Sequence, residues 1–361
     1  QQHQNRLWRS YWCRVALFGR HRLSFSEIIH CNTTRVSEGL SRPRVPVHRR
    51  SNKSNIFHIK PIYKEFIWGG RKLIDYFHLP QSLEQIGTIY HVIAVPGHLD
   101  NLVEETGEPL SVFYQTNPAL FRCNRKDLPI RMTTTCNEGR QSYQLHPTDD
   151  YALAHDGQYG KVSGSVALLP DGAEKRRLFG NLCTTREEFA KKVRQQDWEH
   201  LFGHITQRNG DFLHTPAGVI HGGEGDGTIT CTFSSNGDLT YRFFDYGRND
   251  PKRPLEIDKV IECANIPERP LGAVHIEPVT DDGLRIWTYY DTPGEYTARR
   301  IEVCGQGCYE SDPFYFVSCV AGEGSVGGLP IQLGETLLVP AAAGPLSLCG
   351  SMTLIQISYK D

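Results

Sequence analysis

Residues 210–221 read Gly-Asp-Phe-Leu-His-Thr-Pro-Ala-Gly-Val-Ile-His, and this stretch decides the fold. Gly210 and the aspartate after it predict a turn, and the Phe-Leu pair that follows begins a strand. Pro216 and Gly218 then predict a tight loop that directs His221 inward. A lone histidine is usually a core or surface residue, but His221 follows turn residues that predict its position inside a small β-barrel. The spacing therefore predicts a barrel with the metal ligand His221 in its interior.

A second half of the same site is predicted upstream, where Gln144 and His146 lie two residues apart. On a strand, this spacing turns both side chains to the same face. A Gln-x-His pair alone occurs by chance in many proteins. Distant strands of one barrel can direct side chains to one interior point, however, so His221 can join the pair. Together the two segments predict a metal site.

The composition is that of a globular protein with room for two packed cores. The chain has 361 residues, of which 22% are charged, and a formal net charge of -2. This charge does not indicate nucleic acid as a partner, and no apolar run approaches the roughly 18 residues of a membrane span. The eleven cysteines contain no C-x-x-C pair, which predicts a reducing, cytoplasmic setting. Nothing in the sequence indicates an oligomeric state.

Residues 1–55 differ from the rest of the chain because they are strongly basic. Ten arginines and Lys53 are opposed by only Glu27 and Glu38, without a stable hydrophobic period. We expect this leader to be disordered or non-native. It can be an organellar transit peptide, a nucleic-acid-binding arm, or the product of an incomplete or over-extended reading frame, since the chain starts at Gln1. These alternatives stay open, and the functional argument leaves the leader aside.

From Phe57 onward, short runs of β-branched and aromatic residues alternate with turn residues, which predicts a mostly β fold. Two helical interruptions are expected. Thr185 and Glu188 form a capping box ahead of an intermittent apolar face, which predicts a helix or helix pair over residues 186–203. A weaker helical spacing covers residues 255–263.

The barrel pattern returns after a proline-containing link at residues 267–278. Gly334 and Pro340 repeat the spacing of the first barrel, but no histidine follows them. We therefore predict a double cupin, two small β-barrels or jelly rolls with a short helical insertion, consistent with an internal duplication. The expected domains are a metal-site barrel with the helical insert over residues 56–266 and a C-terminal barrel without metal ligands over residues 267–361.

From about residue 57 to its end, the chain resembles the type I mannose-6-phosphate isomerases, particularly their short bacterial form. The segments that carry the resemblance stand in the family's order and are PIYKEFIWGG at 61–70, SYQLHP at 142–147, DWE at 197–199, the 210–221 stretch and YRFFDY at 241–246. The resemblance implies one bound zinc ion and a phosphorylated hexose as substrate. The implied reaction interconverts mannose 6-phosphate and fructose 6-phosphate.

The resemblance also implies the metal ligands, with one departure from the family. Gln144, His146 and His221 match three ligands, but position 163, where the family has a glutamate, is Ser163. Losing this anionic ligand is expected to weaken zinc retention. The sequence leaves open whether Cys231 or an acidic residue of the loop after His221, Glu224 or Asp226, completes the site.

For the sugar phosphate, the resemblance assigns Arg242 and Lys161 as catalytic residues. It assigns Ser142 and Arg248 as phosphate contacts, and a guanidinium can bind a phosphate with two hydrogen bonds. Without the motif context, the two arginines would be interpreted as surface charges.

Two more departures from the family lie near these residues. Thr133 replaces a lysine, whose charge Arg131 on the same face could restore. Residues 230–232 read Thr-Cys-Thr where the family usually has a glutamate. Because the departures cluster at the centre, a non-catalytic sugar-phosphate binding or regulatory protein is the alternative function. Another cupin isomerase or epimerase, acting on a related sugar, is a third.

Overall fold

Two large antiparallel sheets contain most of the strands. The computed structural model describes residues 56–169, 172–248, 250–268 and 272–361, so the basic leader predicted at 1–55 lies outside the described residues. The mostly β, double-cupin prediction is confirmed. No helix in these ranges is long and apolar enough to cross a membrane.

The first sheet has six strands and carries Ser163 and Cys231, whereas Gln144 and Arg242 lie on a separate strand pair beside it. In spatial order its strands are Phe212–Thr215, Ser163–Leu168, Ile229–Ser235, Ile130–Cys136, Ile86–Val92 and Ile62–Gly70. Beside it lie three strand pairs, Tyr143–Leu145 with Tyr241–Phe244, Glu174–Asn181 with Phe202–Arg208, and Ala94–Val95 with Leu99–Asp100.

The second sheet has nine strands and forms the C-terminal barrel. In spatial order they are Val279–Asp281, Leu284–Thr292, Tyr296–Tyr309, Leu346–Ser358, Tyr315–Val326, Thr336–Val339, Phe57–Lys60 and Leu102–Val103, with Leu329–Gln332 paired to Tyr315–Val326. Two of these strands come from the N-terminal part of the chain, before residue 104. The domain boundary near residue 267 stays a prediction.

Seven helices lie within the described ranges. They are Lys72–Tyr76, Leu110–Thr116, Pro118–Phe121, Asp149–Asp156, Arg186–Gln195, Trp198–Leu201 and Ile257–Cys263. The Arg186–Gln195 and Trp198–Leu201 helices confirm the predicted helix pair. The Thr185 side chain accepts a hydrogen bond from the backbone N–H of Glu188. In return, the Glu188 carboxylate accepts from the backbone N–H of Thr184, one residue before the partner of an ideal capping box.

Strand alternation gives the first sheet two different faces. Its apolar side chains, such as Met132 and Phe233, pack against side chains of the second sheet, such as Phe316 and Ile357, in one buried cluster. The opposite face of the second sheet encloses a separate apolar cluster that includes Val317. The interior of the C-terminal barrel is therefore filled with hydrophobic side chains.

His91 is buried between the two sheets and joins them by hydrogen bonds. Its Nε2 lies 2.9 Å from the Thr134 hydroxyl in the first sheet, and its Nδ1 lies 3.4 Å from the Thr336 hydroxyl in the second. The side chain is 0% exposed. Burial lowers the pKa of His91 from 6.5 to about 3, so the folded protein holds this imidazole neutral.

This burial predicts a loss of stability at acidic pH. Between pH 6.5 and about 3, the unfolded chain binds a proton at His91 that the folded protein does not. The free energy of unfolding should therefore decrease as the pH falls through this window, by on the order of 2 kcal/mol at pH 4.5 from this group. Denaturant unfolding between pH 7 and 4.5 should show a shallower pH dependence for His91→Gln than for the wild type. The same change at exposed His78 is the control, and equal slopes for wild type and His91→Gln would contradict the assignment.

Candidate active site

The structure brings His146 and His221 together although they are 75 residues apart. Their ring centroids lie 5.0 Å from each other. The strand Tyr143–Leu145 pairs with His221 through two backbone hydrogen bonds of 3.0 and 2.9 Å between Gln144 and His221. Gln144, His146 and His221 therefore line one cavity, in the barrel built around the first sheet.

The turn at Pro216 and Gly218 holds His221 against the strand that leads to His146. The backbone N–H of Gly218 donates to the carbonyl of His146 at 2.8 Å, and Asn265 binds the turn from outside. Gly218 has φ +83°, and a Cβ there would lie 2.6 Å from the Asn265 side chain. Only glycine satisfies both conditions without strain, which explains the motif's glycine.

The hydrogen bonds of both imidazoles fix their tautomers. Nδ1 of His146 lies 2.9 Å from the carbonyl of Leu239, and Nδ1 of His221 lies 3.0 Å from the carbonyl of Val219. A carbonyl oxygen only accepts, so both Nδ1 atoms carry the proton and both Nε2 atoms present a lone pair. Metal-binding histidines are commonly oriented by such bonds.

The surroundings keep both imidazoles neutral. Burial, then the charge of Lys161 and the neighbouring His221, hold the pKa of His146 well below its usual 6.5. Burial, followed by the charges of Lys161 and Arg177 and partly offset by the Val219 carbonyl, lowers the pKa of His221 to about 4. At neutral pH both rings are therefore in the form that can bind a metal ion.

Gln144 is held by neighbours on both sides. Its Oε1 accepts a hydrogen bond of 3.1 Å from the Ser142 hydroxyl, and its Nε2 lies 3.4 Å from Nε2 of His221. The amide N–H thus points at the lone pair of His221. For its oxygen to face the two imidazoles, the amide has to rotate.

Ser163 is buried at the start of its strand, opposite Thr215 and Ser234, and lines the cavity. It presents a hydroxyl to the site where the family pattern has a carboxylate. No group of three or more His, Cys, Asp or Glu side chains that could hold a metal ion occurs among the described residues. The candidate ligands Gln144, His146 and His221 are all neutral.

Cys231 faces away from the cavity and does not complete the site. It lies opposite Thr134, with its Sγ 3.9 Å from that hydroxyl, in the apolar cluster between the sheets. Burial raises its thiol pKa to about 11. Its neighbours Thr230 and Thr232 line the cavity instead. At residues 230–232, where the resemblance implies a glutamate, the side chains at the cavity wall are therefore those of two threonines.

Glu224 and Asp226 line the cavity near its opening. Asp226 accepts a 2.8 Å hydrogen bond from the backbone N–H of Thr228 and lies 3.7 Å from the Lys175 ammonium. Its carboxylate is therefore committed to its own loop and to the neighbouring strand.

A belt of hydroxyl groups covers the cavity wall, and the sequence analysis missed it. The cavity has a volume of about 1540 Å³. Its wall includes three Ser/Thr pairs at i and i+2 on adjacent strands, namely Thr133 and Thr135, Ser163 and Ser165, and Thr230 and Thr232. The period of two in these strands was the available signal. Hydroxyls of this kind can exchange hydrogen bonds with a polyhydroxylated ligand.

Lys161 lies beside the imidazoles, and a glycine allows this position. Its backbone N–H donates to the carbonyl of Pro147 at 3.1 Å, and a Cβ on Gly160 would lie 2.2 Å from the same oxygen. Burial, then the charge of Arg131, lower the pKa of Lys161 to about 7, against an opposing effect of Asp238. Its amine is thus divided between the protonated and neutral forms near neutral pH.

Arg131 lines the cavity but does not restore the missing lysine charge. Its Nη1 lies 2.5 Å from the Asp238 carboxylate and donates to the carbonyl of Gly237 at 3.1 Å. The guanidinium also stacks over Tyr90, 4.9 Å from the ring centroid. The expectation that Arg131 replaces the charge lost at Thr133 is therefore wrong, because Asp238 already neutralises it.

Arg242 and Arg248 share one carboxylate. Nη1 of Arg242 lies 3.0 Å from Asp245 Oδ2, and its Nη2 donates to the backbone carbonyls of Arg253 and Pro254. Nη2 of Arg248 lies 2.5 Å from Asp245 Oδ1, and its Nη1 donates to the Arg140 carbonyl at 2.9 Å. Both arginines line the cavity, and Asp245 orients them.

The two-barrel fold, with the facing imidazoles in one barrel, is that of a double-cupin protein. No family model matches the chain. The probable mannose-6-phosphate isomerase GmuF of Bacillus subtilis is 29% identical over 307 residues, which cover 81% of this chain and 96% of that protein. The chain is therefore similar to mannose-6-phosphate isomerases over most of its length.

Two solved structures share the fold. The mannose 6-phosphate isomerase from Bacillus subtilis superposes with a TM-score of 0.77 at 24% identity, covering 84% of this chain and 99% of that one. A zinc-bound mannose 6-phosphate isomerase gives a TM-score of 0.68 at 12% identity, covering 85% and 100%.

Proposed function

We propose that the protein is an aldose-ketose isomerase that interconverts mannose 6-phosphate and fructose 6-phosphate. The observation that carries the proposal is the pair of unprotonated Nε2 atoms of His146 and His221, which lie beside Gln144 in a cavity that Lys161 and Arg242 also line. The similarity to GmuF over 81% of the chain supports the reaction.

The isomerisation moves a proton between C2 and C1 of the sugar through an enediolate. We assign the proton transfer to Lys161, because an amine with a pKa of about 7 can accept and return a proton at neutral pH. The fixed charge of Arg242, held at the wall by Asp245, stabilises the negative enediolate. Ser142 and Arg248 are assigned to the phosphate.

A zinc ion would be held by His146, His221 and the amide oxygen of Gln144. The two imidazoles fit this role because the Leu239 and Val219 carbonyls fix their Nδ1 protons. When bound, zinc supplies a Lewis acid for the sugar oxygens. The ligand set is neutral because Ser163 stands in place of a carboxylate, so we propose that the ion is weakly bound.

We also propose a cytoplasmic location. All nine cysteines in the described part of the chain are free thiols, which supports a reducing setting.

One observation favours a second function, a non-catalytic sugar-phosphate binding protein. The wall around the two imidazoles carries hydroxyls at Ser163, Thr230 and Thr232, where a reacting site commonly has a carboxylate. Such a wall can hold a sugar through hydrogen bonds without supplying a carboxylate base.

The test combines metal analysis with a coupled assay for fructose 6-phosphate on zinc-supplemented protein. We expect turnover and zinc binding that are both lost in His221→Ala. Absence of both zinc and turnover in the wild type would show that the enzyme proposal is wrong. Binding of mannose 6-phosphate without turnover would support the second function, and absence of binding would contradict both.

A further inference from the structure

Three arginines that line the cavity already have carboxylate partners. Arg131 is paired with Asp238, and Arg242 and Arg248 share Asp245. Each of the three also donates to backbone carbonyls. The charge of Arg131 is therefore neutralised, and at Arg242 and Arg248 a phosphate would have to compete with the shared Asp245 and with the backbone carbonyls.

Arg177 differs from these three because it lines the cavity without an ion pair among the described residues, and it differs from the exposed Arg176 beside it because it is half-buried. It lies on the strand Glu174–Asn181, two residues before Phe179, which forms a β-bridge with His221. Its charge contributes to the lowered pKa of His221, so the guanidinium lies within electrostatic range of that imidazole. The side chain is half-buried at the wall of the cavity.

Among the described residues, no carboxylate lies within ion-pair distance of this guanidinium. Asp226 and Glu224 act on Arg177 electrostatically, but Asp226 is bound to Thr228 and paired with Lys175. Burial lowers the pKa of Arg177 below its usual value, which reflects a cation that has lost water without gaining a direct counter-ion. A half-buried guanidinium of this kind is stabilised by an anion that reaches it with two hydrogen bonds.

We propose that Arg177 binds the phosphate monoester of the ligand together with Ser142 and Arg248, as a half-buried guanidinium at the cavity wall. This inference rests on the proposed function, because it takes the ligand to be a phosphorylated hexose. Arg177 would supply the positive charge that is absent at Thr133 and that Arg131 does not restore. The sugar hydroxyls would then lie against the hydroxyl belt.

The experiment measures binding by calorimetry to the full-length wild type, Arg177→Met and Arg177→Lys, with Arg176→Met as the matched control. Arg176 is the exposed neighbour on the same strand and also lines the cavity. The probes are mannose 6-phosphate, mannose and inorganic phosphate. We expect Arg177→Met to weaken mannose 6-phosphate binding by about 10- to 100-fold, Arg177→Lys to recover part of it, and Arg176→Met to stay within about twofold. Mannose binding and the melting temperature should not change.

The outcomes separate this inference from the proposed function. If the wild type binds mannose 6-phosphate and Arg177→Met binds it equally well, the inference is wrong while the proposed function stands. If the wild type binds inorganic phosphate through Arg177 but no sugar phosphate, the anion site stands and the proposed function fails. A wild type that binds neither probe contradicts both. An equal loss for mannose and mannose 6-phosphate would also overturn the inference, because it would show a general change of the cavity.

Discussion

Ser163→Glu is expected to raise the affinity of the site for zinc by about 100-fold or more. The added carboxylate would enter a cavity whose candidate ligands, Gln144, His146 and His221, are all neutral. Groups that only orient a metal ligand are worth about 10- to 100-fold in affinity, so a direct anionic ligand should contribute at least as much. Competition against a chromophoric chelator measures the change.

The matched control is Ser163→Gln, which adds nearly the same volume without the charge. We expect it to gain much less affinity than Ser163→Glu, and His146→Ala should abolish the gain in the glutamate variant. Equal zinc affinity in the wild type and Ser163→Glu would mean that position 163 does not face the imidazoles, and the correspondence with the family's ligand would then be wrong.

The convergence of His146 and His221 could be predicted because its causes are local. The turn at Pro216 and Gly218 and the two-residue spacing of Gln144 and His146 each fix the direction of a side chain within a few residues. The family resemblance then connected the two segments. The barrel fold followed from the same turn residues.

The direction of Cys231 could not be predicted because the period of a strand is two. A shift of one residue in the alignment moves a side chain from the cavity to the opposite face. The structure places Thr230 and Thr232 in the cavity and Cys231 in the core. Only the observed register opposite Thr134 decides between these arrangements.

Ion pairs between residues that are distant in the chain could not be predicted from the sequence either. Arg131 and Asp238 are 107 residues apart, and neither position indicates the other. The strand Phe57–Lys60 likewise pairs with Thr336–Val339 across most of the described chain. Such pairings are properties of the assembled sheets. They explain why the sequence alone does not show that the charge of Arg131 is paired with Asp238.

Asp238→Asn is expected to destabilise the protein by about 3–5 kcal/mol, the usual cost of leaving one partner of a buried ion pair without its counter-charge. The Arg131 side chain is 9% exposed and would keep the carbonyl of Gly237 and the ring of Tyr90, but no counter-charge. Denaturant unfolding at pH 7 measures the change. The exposed pair of Arg194 and Asp258 is the control, because Asp258→Asn should have little effect.

The contribution of the Asp238 carboxylate to stability should also depend on pH. Although Asp238 is largely buried, Arg131 and then Lys161 hold the pKa of its carboxyl below 3.8. The stability that this carboxylate contributes is therefore present above pH 3.8 and is lost as the pH falls through the folded-state pKa.

The double variant Arg131→Met with Asp238→Leu should recover much of the stability, because it removes both charges together. If Asp238→Asn were as stable as the wild type, Arg131 would have another counter-charge, and its exclusion from phosphate binding would lose its basis. Loss of the carboxylate should also lower the pKa of Lys161 further, since Asp238 now raises it. The acidic branch of the turnover profile, below which Lys161 is protonated and cannot accept a proton, should therefore shift to lower pH.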